Sequence, residues 1–64
     1  MKFKDFIKLL GTNKLVEIYE NSQCVSTGII EGVSLNDKTV LVQDVKSHTF
    51  HWWQPEKFNV NVKS

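Results

Sequence analysis

The segment from His48 to Trp53 carries the side chains of this sequence best suited to binding or chemistry, in the order His-Thr-Phe-His-Trp-Trp. Successive side chains of a β-strand point to opposite faces, so Trp52 and Trp53 cannot both enter a core. We expect Phe50 and Trp52 to fill the core as a pair. Trp53 is then expected outside, on the same face as His51.

A large exposed aromatic side chain beside a histidine is typical of a binding surface or a subunit interface. The predicted site therefore consists of Trp53 and His51, joined by Tyr19, with Lys46 nearby to meet anionic groups. Three uses of this surface stay open: a contact between subunits, a ligand or partner site, and ordinary packing under an N-terminal helix.

Metal binding and catalysis are the other chemistries that such side chains could support. His48 and His51 are three residues apart, which on a strand sends them to opposite faces. Cys24 and Asp44 could complete a metal set or a Cys-His-Asp site, but no spacing requires it. We predict no catalytic residue, no metal site and no cofactor, with two surface histidines. A cysteine at the start of a strand is most often a small buried hydrophobe, but the sequence leaves the burial of Cys24 open.

The chain has 64 residues, 41% of them hydrophobic, and a single cysteine. This length predicts one domain, residues 1–64, whose core alone gives marginal stability. Small domains commonly gain stability from disulfides, metals or oligomerisation. Because one cysteine excludes an internal disulfide and no metal set is visible, we expect a homo-oligomer.

The formal net charge is +1, from eight lysines, no arginine and seven acidic residues. Nucleic-acid binders are normally clearly basic, so nucleic acid is less favoured as a partner than a protein or a small nucleotide. The sequence has no run of about 18 apolar residues and no signal-peptide pattern, and we therefore expect a cytoplasmic protein without a membrane partner.

The opening residues predict a short amphipathic helix. Phe3, Phe6, Ile7 and Leu10 follow the i, i+3, i+4, i+7 spacing of one apolar helix face. Gly11 stands where a C-terminal glycine ends a helix. Since so short a helix is unstable alone in water, its apolar face must pack on the rest of the chain.

After the helix the apolar period changes to two, as in half-buried strands. Five strands are predicted: LVEIYE (15–20), CVSTGIIEGV (24–33), TVLVQDV (39–45), TFHWW (49–53) and FNVNV (58–62). Alternation groups Val16 with Ile18, Val40 with Val42, Phe58 with Val60 and Val62, and Val25 with Ile29 and Val33. Gly28 and Gly32 inside the second strand predict a bulge, a bend or a close backbone approach.

The predicted fold is mainly β (α+β), with a short N-terminal helix and about five antiparallel strands in a curved sheet or small SH3-like or Sm-like barrel. This order of elements resembles the Sm-like fold, in which small subunits close into rings and bind RNA. The resemblance covers most of the chain and implies an oligomer that binds single-stranded RNA or DNA. The RNA-contacting signature of that family does not occur here, so no binding residue carries over.

The opening helix, the strand LVEIYEN and the segment TVLVQDVKSHTF are similar to small accessory proteins of phages and prophages in low-GC Gram-positive bacteria. That resemblance implies a protein that acts against host defences in the host cytoplasm. The predicted function is non-enzymatic: sequestration of an immune nucleotide signal, or occlusion of a host defence protein. The alternatives are a Sm-like nucleic-acid-binding oligomer and a purely structural phage assembly subunit.

Overall fold

The structure, a computed structural model, describes residues 2–63. Its elements in chain order are α1 (Phe3–Ile7), β1 (Leu15–Glu20), β2 (Gln23–Ser34), β3 (Thr39–Asp44), β4 (Phe50–Trp53), a 3₁₀ turn (Pro55–Lys57) and β5 (Asn59–Lys63). The five strands form one open, curved, antiparallel sheet in the order β4-β3-β2-β1-β5, so β4 and β5 are its edges. The predicted mainly β fold with one helix and five strands is confirmed.

The core lies on one face of the sheet, here called the inner face, and α1 packs against it. Val16 and Ile18 of β1, Val40 and Val42 of β3, and Phe6 of α1 are each at most 1% exposed. Burying one such side chain fully contributes about 1.5–3 kcal/mol, so these five side chains supply much of the stability. Partly buried side chains complete the core, namely Leu9, Val33, Trp53, Phe58, Val60 and Val62.

The helix uses a different face from the predicted one. Phe3 and Phe6 are buried and Leu9 packs against the core, whereas Ile7 and Leu10 are exposed. After α1 ends, the Leu9 N–H donates to the Phe6 carbonyl at 2.9 Å, an i to i−3 bond of the 3₁₀ type. Because a 3₁₀ turn holds three residues, every third side chain falls on one side. The prediction that Ile7 and Leu10 face the core was therefore wrong.

β2 changes face along its length. Ser26 and Ile30 are buried on the inner face, which leaves Val25 and Ile29 on the outer one. The pairing of β2 with β3 shifts register just after Ile30, and beyond this bulge Val33 packs against the core. A bulge inserts one residue and so reverses the alternation. The prediction that Val25, Ile29 and Val33 share a face was wrong for this reason.

Gly28 lies where β2 and β3 come closest. A Cβ atom at Gly28 would clash with the carbonyl oxygen of Gln43 and would lie 2.7 Å from Cγ1 of Val42. The predicted close backbone approach is thus found at Gly28, and the predicted bulge beside Gly32. Only glycine allows the two strands to pair at this point without displacement of β3.

Several turns contain residues with positive φ values. Asn21 and Ser22, between β1 and β2, have φ values of 52° and 66°. His48, between β3 and β4, has a φ of 60°, and Gly11 after the helix has a φ of 82°. Asparagine and glycine tolerate this left-handed region better than most residues, which is consistent with their occurrence at Asn21 and Gly11.

We expect Gly28→Ala to lower the free energy of unfolding by about 1–3 kcal/mol, because the added methyl group overpacks the junction of β2 and β3. Urea denaturation measures the loss. The matched control is Gly32→Ala in the same strand, whose Cβ would lie 3.8 Å from the nearest atom, a side-chain atom of Leu41. Equal urea midpoints for the two variants would contradict the close approach.

Candidate functional site

The two adjacent tryptophans lie on opposite faces of β4, in the reverse of the predicted arrangement. Trp53 is half-buried and packs against the core, where its ring meets Phe58 edge to face at a centroid distance of 5.2 Å. Trp52 is 55% exposed and Phe50 is 53% exposed on the outer face. The prediction that Phe50 and Trp52 fill the core while Trp53 lies outside was therefore wrong.

The reason lies in the register of the β3–β4 pair. Val40 is paired with Trp53, and Leu41 with Trp52. Directly paired residues of neighbouring strands share a face of the sheet. Because Val40 belongs to the core, its partner Trp53 must face inward as well. The alternation of Val40 and Val42 could have given the correct face if the length of the β3–β4 turn had been included.

The four residues of the predicted site lie in three separate places. His51 and Trp53 are close, with ring centroids 6.3 Å apart, and His51 is exposed. Lys46 lies in the turn between β3 and β4. Tyr19 lies on β1, which β2 and β3 separate from β4. The carboxylate of Glu17 beside it raises the pKa of the Tyr19 phenol. The structure thus brings together only His51 and Trp53 of the predicted set.

A different aromatic surface is available on the outer face, and we call Phe50, Trp52 and Leu41 the outer aromatic surface. Trp52 and Leu41 are cross-strand partners, and Leu41 is half-buried between β2 and β4. β4 is an edge strand with no lysine, proline or bulge, the features that usually protect sheet edges. The sequence places Phe50 and Trp52 on β4, but only the register reveals that they are exposed.

A shallow cleft adjoins this surface at the Trp52 end. Its other lining residues are polar: Ser34, Asp37, Thr39 and Gln54. Hydroxyl and amide groups can both donate and accept hydrogen bonds. An aromatic ring next to such groups can hold a flat ligand that has a polar rim.

Asp44 closes the turn that leads into β4. Its carboxylate accepts the backbone N–H groups of Ser47 and Lys46 at 3.1 and 2.8 Å, and the Ser26 hydroxyl at 2.9 Å. These hydrogen bonds, of which that from Ser47 has the largest effect, lower the pKa of Asp44 to about 2. Asp44, considered in the sequence as a metal ligand or catalytic acid, here ties the β3–β4 turn to β2.

The cysteine and the histidines do not converge. Cys24 is exposed, and its Sγ lies 3.5 Å from Oγ1 of Thr27. His48 and His51 are both exposed, as predicted. Within residues 2–63, no three His, Cys, Asp or Glu side chains are grouped in a way that could hold a metal ion.

No protein-family model, curated protein or solved structure matches this chain. The likenesses to the Sm-like fold and to phage accessory proteins therefore stay predictions. Over residues 2–63, the helical segments are too short or too polar to cross a bilayer. The candidate site rests on the geometry of the outer face alone.

The adjacent tryptophans should differ sharply in their effect on stability. We expect Trp53→Ala to cost about 2–3 kcal/mol of unfolding free energy, since a half-buried ring loses less than the 3–5 kcal/mol typical of a fully buried one. Trp52→Ala should change stability by less than about 0.5 kcal/mol, as exposed positions do. Chemical denaturation of both variants measures the difference, and equal losses would contradict the assigned faces.

Trp53→Phe provides the control for that comparison. The indole Nε1 of Trp53 is buried and has no hydrogen-bond partner among the described residues. An unsatisfied buried donor is costly, so a phenylalanine that keeps most of the ring contact should retain most of the stability. A loss as large as that of Trp53→Ala would contradict this expectation and would show that the full indole ring is required at this position.

Asp44 should make stability depend on pH. Its pKa is lowered from an ordinary value of 3.8 to about 2 in the folded protein, so the unfolded chain takes up a proton first as the pH falls. The stabilisation by Asp44 is therefore full above about pH 5 and is lost progressively towards pH 2. The difference in urea midpoint between wild type and Asp44→Asn should therefore decrease as the pH falls from about 5 to 2. A constant difference would contradict the assignment.

Proposed function

We propose that this protein is a non-enzymatic binding protein that captures its partner stoichiometrically through the outer aromatic surface. The observation that carries the proposal is the exposure of Phe50 and Trp52, at 53% and 55%, on one face of an edge strand. Contiguous exposed apolar side chains on a small protein commonly mark an interaction site. Aromatic residues are also enriched in interfaces.

The inner face of the sheet is already covered by α1, which supports the choice of the outer face as the binding surface. The helix α1 packs on the inner face, and its Phe3 and Phe6 are buried there with the valines of β1 and β3. No helix of the described chain is left to cover the outer face. The large side chains of β4 on that face therefore contribute little to the stability of a single chain, whereas burial by a partner would remove their apolar area from water.

The biological setting comes from the likeness to phage accessory proteins. In that setting the protein acts in the cytoplasm of the host and counters its defences, by sequestering an immune nucleotide signal or by occluding a defence protein. We also propose self-association, because a chain of 64 residues has a small core and β4 leaves an unprotected edge. A second copy beside β4 would deepen the cleft next to Trp52.

Native mass spectrometry of the protein after exposure to host-cell extract tests this proposal. We expect a stoichiometric adduct with wild type, and its loss in Trp52→Ala without loss of folding. Val25→Ala is the matched control, because Val25 is exposed on β2, which β3 separates from β4. The adduct mass separates a nucleotide from a protein, and the same spectrum gives the number of subunits.

Three results would count against the proposal. An adduct that survives Trp52→Ala unchanged would place the binding surface elsewhere. Conversion of a small molecule over many turnovers would show an enzyme rather than a stoichiometric binder. Absence of any Trp52-dependent adduct would leave the assembly-subunit alternative as the better account.

A further inference from the structure

We propose that the captured partner carries an aromatic base and a phosphate, with the base stacked on Trp52 and the phosphate held by Lys38 and Lys57. This inference deepens the proposed function and rests on it. It names a phosphate site that none of the sequence motifs indicates. The shared chemistry belongs both to a free nucleotide and to a single strand of nucleic acid.

The lysines lie in a cleft next to the one beside Trp52. Lys38 and Lys57, together with Glu56, line a cleft of about 340 Å³, within the size range of small-ligand sites. Asp37 and Gln54 line both this cleft and the Trp52 cleft, so the two clefts are neighbours. The proposed ligand would place its base in one of these neighbouring clefts and its phosphate in the other.

Three chain segments build this end of the sheet. Lys38 ends the turn between β2 and β3, with a φ of 54°, and Lys57 ends the 3₁₀ turn between β4 and β5. The start of α1 joins them, because the Phe3 N–H donates to the Glu56 carboxylate at 3.3 Å. A third cleft, lined in part by Lys2 and Lys4, adjoins here and shares Lys38 and Glu56 with the second.

Charge is concentrated at this end. Four lysines and two carboxylates line the three clefts, a balance of +2, whereas the other four lysines and five acids of the chain amount to −1. The three clefts together thus form a basic end. The cleft of Lys38 and Lys57 itself holds two lysines and two carboxylates, and Lys2 and Lys4 of the third cleft supply the excess positive charge. A local basic surface attracts anionic ligands even when the whole protein is nearly neutral.

The lysines at this end are also free to bind. Glu56 is held by the Phe3 N–H, and Asp37 accepts a hydrogen bond from the Ser34 hydroxyl at 3.3 Å. Within residues 2–63 the one ion pair joins Lys63 and Glu17, at 3.5 Å on β5 and β1. An ammonium group without a carboxylate partner meets a phosphate as a point charge.

The aromatic side supplies the second half of the recognition. Bases of any type stack on a tryptophan ring because every base has a flat π face. The hydroxyl of Thr39 and the amide of Gln54 lie beside that ring and can pair with the polar edge of a base or a sugar. An acidic peptide would use the lysines but would leave these stacking and edge contacts unused, so we favour the base and phosphate.

Calorimetric titration tests the inference with three probes: the four ribonucleoside 5′-monophosphates, a ten-nucleotide RNA of mixed sequence, and a ten-residue polyglutamate peptide. We expect nucleotide or RNA binding that weakens at least tenfold in Lys38→Gln/Lys57→Gln and also in Trp52→Ala. The matched charge control is Lys8→Gln/Lys14→Gln, whose lysines lie outside the three clefts and which should bind as wild type does.

The outcomes distinguish a free nucleotide from a single strand of nucleic acid. They also distinguish failure of this inference from failure of the proposed function. Binding of monophosphates supports a free nucleotide, and binding of the RNA alone supports a single strand. Binding of polyglutamate with the same lysine dependence but no Trp52 dependence would overturn the inference, as would no binding of either nucleotide probe. In that last case a Trp52-dependent protein adduct in native mass spectrometry would still uphold the proposed function.

Discussion

The pairing of β3 with its two neighbours determines where every functional side chain of this small protein lies. On one side, the missing side chain of Gly28 allows β2 to approach the backbone of β3 closely. On the other side, the turn closed by Asp44 aligns β4, so that Trp53 stands opposite the buried Val40. With this register one tryptophan belongs to the core and its neighbour Trp52 belongs to the surface. The assignment of a function to β4 depends on that division.

The elements of the fold follow from local patterns, and these were largely predictable. The alternation at Val16 and Ile18, and again at Val60 and Val62, depends only on the period of a half-buried strand. Which side chains of β2 and β4 face the core was harder to predict, because in each strand the answer depends on a structural feature that leaves no pattern in the sequence. In β2 it is the bulge after Ile30, and in β4 it is the number of residues in the turn. One residue of register exchanges the two faces of a strand.

The grouping of lysines at the basic end could not be predicted, for a different reason. Lys38 and Lys57 are far apart in the sequence and lie in two separate turns, and neither stands in a recognisable motif. Composition averages them with acids such as Glu20 and Asp44, which lie elsewhere in the fold. A net charge near zero argues against nucleic acid only when the charges are mixed evenly. In this chain the folded arrangement, not the composition, decides what the surface attracts.

The small size of the chain connects its architecture to its proposed mode of action. One layer of helix covers one face of the sheet, and residues 2–63 form no second layer over the other face. The described residues therefore offer little material for a deep pocket, and the proposed binding uses what the sheet exposes, an aromatic edge strand and a basic end beside it. Capture of a flat, charged ligand needs only such a surface, whereas catalysis needs positioned reactive groups in an enclosed site. The same limit that makes the core marginal favours binding over chemistry.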